Sequence, residues 1–165
     1  MNDIVRVDIE KTIKEFSLDR NRVFEVTKQK YEQILRKIEQ TFVYHEGTIH
    51  WANMGDYNPA LPVWYKDCRD NMLWFEDLDQ IIPHPESAVY VLFEESRQRA
   101  KYWVFEMYLE ELKVILGEAE CYGDYYIVSK KYEWLISENH HAIVSIVGDC
   151  LDLSTLKGEG LKDAN

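Results

Sequence analysis

After Pro85 the chain is written in short runs of β-branched and aromatic residues: Ala88 to Phe93, Tyr102 to Phe105, Tyr125 to Val128, Tyr132 to Ile136 and Ile143 to Val147. Such runs predict strands. The links between them are short and polar, namely Glu95-Ser96-Arg97-Gln98-Arg99, Ser129-Lys130-Lys131 and Glu138-Asn139-His140-His141. Links of that length permit only antiparallel neighbours, because a parallel return needs a crossover of a dozen or more residues. Between the second and third runs, Leu109, Leu112 and Leu116 step by three and four and Gly117 stands where a helix ends, so one helix is inserted. A competing reading makes Ala100 to Leu116 one long helix, against which Tyr102-Trp103-Val104-Phe105 argues. Val89-Tyr90-Val91-Leu92-Phe93 is apolar at every position. The sheet therefore needs cover on both faces, by helices on one and by part of the middle of the chain on the other.

The first forty residues carry a helical period. Ile9, Ile13 and Phe16 line one face of a first helix. Beyond the break at Ser17-Leu18-Asp19, Phe24, Tyr31, Leu35, Ile38 and Phe42 write a second, with Asp19 or Asn21 as its cap. From Val43 to Pro85 this order dissolves into apolar clusters split by Gly47, Gly55, Pro59, Pro62 and Pro83-His84-Pro85, which is loop chemistry with room for one or two strands and a helical turn. Tyr44, Trp51, Tyr57, Trp64, Tyr65, Trp74 and Phe75 fall here, and rings of that size must be covered by the sheet or by a partner. The fold class expected is α+β: two N-terminal helices, an irregular aromatic segment, and a mainly antiparallel sheet of five or six strands with one inserted helix. Residues 1–153 form the expected domain and 154–165 a frayed tail.

The 165 residues hold 19 Lys plus Arg against 30 Asp plus Glu, a formal net charge of -11. Such a field repels phosphate backbones and anionic lipid, so neither nucleic acid nor membrane is an expected partner, whereas a basic protein is. No stretch has the length and apolarity of a membrane helix, and the expected location is the cytoplasm. Cys68, Cys121 and Cys150 are odd in number and lack any C-x-x-C spacing, so reduced, buried thiols are expected rather than disulfides or zinc.

The sequence offers no convergent catalytic set. His140-His141 with Glu138 could bind a metal or move a proton, but adjacent strand residues point to opposite faces, so a turn with a hydrogen-bonded histidine is the simpler reading. His45 and His50, near Trp51 and Asp56, are not tied to that turn by any spacing. Glu111-Leu112-Lys113 has the E-x-K spacing of some nucleases, yet i and i+2 side chains diverge on a helix. Neither a G-x-S-x-G nucleophile nor a Gly-rich phosphate loop is present. No cofactor and no metal is expected. The residues singled out for binding are Trp51, Tyr57, Trp64, Tyr65, Trp74, Asn139, His140 and His141.

The stretch from Asp124 to Gly148 resembles a recurrent C-terminal segment of a family of small uncharacterised bacterial proteins, in which Trp134-Leu135, Asn139-His140-His141 and Gly148 carry the pattern. In size, acidity and hairpin content the chain is also similar to α+β immunity proteins encoded beside bacterial toxins, including the SUKH group, although it lacks that group's Asn-Gly-Gly turn. The resemblance implies a non-enzymatic protein-binding domain that blocks a basic toxin through acidic residues with Tyr and Trp anchors. The alternatives are a small metal-dependent or His-based hydrolase using Glu138, His140 and His141, and a homodimer paired through an edge strand.

Overall fold

A computed structural model of the chain describes residues 3–43, 48–54, 58–62, 74–96, 101–140 and 143–154. Helix α1 (Ile4–Glu15) is followed by a short strand β1 (Val23–Glu25), helix α2 (Lys28–Phe42), strand β2 (Asn58–Pro62) and a brief helix α3 (Leu78–Ile81). Strands β3 (Val89–Ser96) and β4 (Lys101–Met107), helix α4 (Leu109–Glu118), and strands β5 (Tyr125–Ser129), β6 (Leu135–Glu138) and β7 (Ile143–Val147) complete the order. The strands form one antiparallel sheet, in the order β1-β4-β3-β5-β6-β7-β2. This is the expected α+β class with its inserted helix. The two edge strands bring the sheet to seven.

Strand alternation divides the apolar residues into two layers. On the first face Val89, Val91, Phe93, Phe105, Met107, Tyr125, Ile127 and Ile136 pack against Val5, Ile9 and Ile13 of α1, Leu78 and Ile81 of α3, and Leu112 and Ile115 of α4. On the second, Tyr90, Leu92, Val104, Val128, Leu135 and Val147 meet Ile34, Ile38 and Phe42 of α2. Ile49 and Met54 of the middle segment join this second layer. The run Val89 to Phe93 is apolar throughout because β3 lies inside the sheet and is covered from both sides.

Several expectations need correction. Phe24 belongs to β1, where it pairs with Glu106, and not to α2. The cap of α2 is accordingly Thr27, whose hydroxyl accepts from the Lys30 N–H at 3.3 Å, whereas Asp19 receives the Asn21 N–H at 2.8 Å in the preceding turn. Phe16 falls just past the end of α1 and is exposed, because the helix stops at Glu15 and Ser17 turns the chain at φ 51°. The single helix from Ala100 to Leu116 is ruled out by β4, which is paired with β3 from Lys101 to Met107. The run from Tyr132 begins in a turn: Tyr132 has φ 57° and donates its N–H to the Ser129 carbonyl, and β6 starts only at Leu135. Cys121 and Cys150 are exposed, since both stand in connecting segments, and Cys68 lies outside the described residues.

Candidate functional site

The second face of the sheet is apolar at one end and polar at the other. Along β3 it reads Tyr90, Leu92, Glu94; along β4, backwards, Val104, Tyr102; and into β5, backwards, Val128, Tyr126, Asp124. The same change occurs from Leu135 to Ser137 and Asn139 and from Val147 to Ser145. Register makes this one surface: Leu92 lies opposite Tyr126, Tyr126 opposite Ser137, and Ser137 opposite Ser145. All are buried, Asp124 to 3% and both serines to 1% of their full exposure. Burying polar groups weakens a core unless each finds a hydrogen bond, so a polar half-face assembled from five strands has no rationale in packing.

The chain turns back over this end. The Tyr102 hydroxyl donates to the Ile49 carbonyl, and the Trp51 backbone N–H donates to the Tyr126 hydroxyl at 3.2 Å. The two phenol rings meet edge to face at 6.1 Å. Burial raises the pKa of both phenols well above the ordinary tyrosine range, and the nearby carboxylates of Glu94 and Asp124 push the same way. At the rim, Asp124 Oδ1 accepts the His140 backbone N–H at 2.8 Å and stands 2.9 Å from the ring Nδ1. A carboxylate so placed orients the imidazole ring beside it.

Of the residues singled out from sequence, Trp51, Asn139 and His140 gather at this end. Trp74 is buried on the opposite face, where its Nε1 donates to Glu138 Oε2 at 3.1 Å and the Tyr125 hydroxyl donates to the same oxygen at 2.9 Å. Glu138 and His140 therefore serve different partners on different sides of the sheet. Tyr57, Trp64, Tyr65 and His141, with Tyr44, His45 and Asp56, lie outside the described residues. His50 stacks beside Trp51, ring centres 5.1 Å apart. Glu111 and Lys113 diverge as their spacing requires: Glu111 is held by Arg22, and Lys113 reaches Asp79 at 2.8 Å. Among the described residues no three His, Cys, Asp or Glu side chains converge as a metal site would need. No helix in the described residues is long and apolar enough to cross a membrane.

Sequence reasoning missed Asp124, Tyr102, Tyr126, Ser137 and Ser145. Their signal was the repeated change from apolar to polar at i+2 within successive strands, which becomes one surface only when the register is known. Two clefts open elsewhere, at the far end of β4. One of about 490 Å³ lies between Pro83–Val89 and the Ser129–Trp134 turn, and one of about 410 Å³ lies beside Arg22, Asp79 and Glu110.

A model of a family of unknown function, DUF6756, matches residues 1–157. The chain belongs to that family. Membership in DUF6756 spans both sheet faces and all four helices, so it concerns the whole architecture and not the C-terminal hairpins alone. No curated protein and no solved structure matches this DUF6756 chain.

Proposed function

We propose that this chain is a non-enzymatic protein-binding domain of the immunity type, whose partner is a basic protein. The observation that carries the reading is the acidic surface formed by α3, α4 and the segments beside them. Over the first face, α3, α4 and the segments beside them present Glu76, Asp79, Glu86, Glu110, Glu118 and Asp152 to solvent, with Lys113 among them. These positions form one surface: Lys113 bridges α4 to Asp79 of α3, and the Asp152 N–H donates to the Ile81 carbonyl at 2.8 Å. Over the second face α2 exposes Lys28, Lys30, Arg36 and Lys37 against Glu32 and Glu39. A predominantly acidic surface steers and orients a basic partner, at the cost of self-repulsion within the fold.

The test compares capture of basic proteins from the source cell by the native chain, by a Glu76→Lys, Glu110→Lys, Glu118→Lys triple variant, and by a Glu32→Lys, Glu39→Lys control on α2. The expected result is a partner identified as basic, retained at low salt, lost by the triple variant and kept by the control. Equal capture by all three chains, or capture of no protein at low salt, would overturn the proposal.

The Asp124–His140 pair favours a second reading, in which His140 acts as a general base in a small hydrolase. Its side chain is 31% exposed and its ring is held against Asp124, so a substrate can approach the imidazole. Hydrolysis of a generic ester that follows the ionisation of one histidine and disappears in His140→Gln would support this reading. Rates unchanged in that variant would exclude it.

A further inference from the structure

We propose that the two clefts at the far end of β4 are one groove, and that it holds an extended segment of the basic partner by its Lys and Arg side chains. The inference deepens the protein-binding reading and rests on it for the partner's basic character. The clefts, of about 490 and 410 Å³, share Glu86 and Tyr108 as walls, so they adjoin there. Asp79, Glu86 and Glu110 of the acidic surface line them, which places the groove on that surface. Open clefts of this size leave a free small molecule partly in water, whereas a chain laid along both fills them with successive side chains.

The walls select the segment. In the larger cleft Val89 and Trp134 are 2% and 4% exposed and supply apolar lining, against which the methylene stem of a Lys or Arg lies while its charged end stays in water. Where the clefts adjoin, the Tyr108 ring carries the Arg22 guanidinium at 4.2 Å, a contact of the kind that an arginine of the partner makes with a tyrosine. The cations of the lining are mostly committed: Lys113 to Asp79 at 2.8 Å, Lys130 to Glu106 at 3.1 Å, and Arg22 to Glu111. Glu86 faces the His84 ring at 3.5 Å, and Glu133 makes no ion pair among the described residues. Both carboxylates therefore keep their charge for an incoming cation, against one uncommitted lysine, Lys131. An acidic segment would set its own carboxylates against Glu86, Glu110 and Glu133.

The experiment uses the full chain with fluorescein-labelled octapeptides of alternating Arg and Ser or alternating Glu and Ser, and with spermidine as an unlabelled competitor. Fluorescence anisotropy at low ionic strength is the readout. The Arg–Ser peptide is expected to bind and the Glu–Ser peptide to stay free. Ser87→Trp fills the larger cleft from an exposed position and leaves the net charge at -11, so a weakening of about tenfold marks a groove and not diffuse charge. Glu86→Gln with Glu133→Gln should weaken binding about fivefold, and Glu32→Gln with Glu39→Gln, which removes the same charge from α2, less than about twofold. Absence of Arg–Ser binding, equal binding of Glu–Ser, displacement by spermidine at a concentration equal to the peptide's, or unchanged affinity in Ser87→Trp would each overturn the proposal. Should Ser87→Trp fail to fold by circular dichroism, equal losses in the two glutamine pairs would overturn it instead. The reading beneath it is judged apart: a basic partner captured equally well by Ser87→Trp leaves that reading standing and removes the groove.

Discussion

Raising the pH offers a quantitative test of the buried phenols beneath the 48–54 segment. Tyr102 and Tyr126 are 4% and 0% exposed, and their pKa values lie far above the ordinary 10.0, through burial first and the proximity of acidic groups second. A group whose folded pKa is raised holds its proton longer in the native state. Its contribution is therefore intact below the unfolded pKa and is lost as the pH climbs toward the folded one. Between about pH 9 and pH 11 the unfolded chain releases each of these protons while the native chain keeps them. The loss is about 1.4 kcal/mol per tyrosine and about 2.8 kcal/mol for the pair. The assay is urea unfolding at several values across that range, on native chain and Tyr102→Phe. The variant starts less stable, because the Ile49 carbonyl loses its donor, but its stability should fall about 1.4 kcal/mol less over the same interval. Identical slopes for the two chains would show that the Tyr102 phenol titrates equally in both states and would refute the reasoning.

Two further outcomes follow from local geometry. Gly148 stands at φ 111°, and a β-carbon there would come within 2.8 Å of the Glu133 carbonyl oxygen, so Gly148→Ala should cost about 2–4 kcal/mol in chemical denaturation. Thr27→Ala removes the cap hydroxyl of α2 at an exposed position and should cost about 0.5–1 kcal/mol, seen as a lower melting temperature with unchanged circular dichroism at low temperature.

The elements legible in the sequence were those whose period is long or whose composition is strongly β-branched. Leu109, Leu112 and Leu116 announced α4, and Val89 to Phe93 announced both a strand and its double cover. β1 escaped because three residues carry no period: Phe24 stands seven before Tyr31 and so mimicked the face of α2. β6 was displaced because Tyr132 looks like a strand residue, whereas its left-handed backbone closes the turn. The candidate site was legible only at its rim. Asn139 and His140 stand out as residue types, but Asp124 became the partner of His140 through the β5–β6 register, which places Tyr125 opposite Glu138 and so brings the residues just beyond them together. Ser137 and Ser145 are unremarkable in sequence and acquire meaning only as neighbours at 1% exposure.

The edge strands bear on how the chain acquires its structure during synthesis. β1 can pair only when Met107 and its neighbours exist, and β2 waits for Ile143 to Ile146. The helices α1 and α2 therefore emerge from the ribosome long before the sheet faces they cover. Translation at about 5–20 residues per second leaves their apolar stripes exposed for seconds. Pairings so distant in sequence also slow the search, since the closure entropy of a long loop must be met before any contact rewards it. A chain arrested before β7 would leave β6 as an open sheet border and β2 without its neighbour, and it is in that interval, not in the finished fold, that aggregation threatens most.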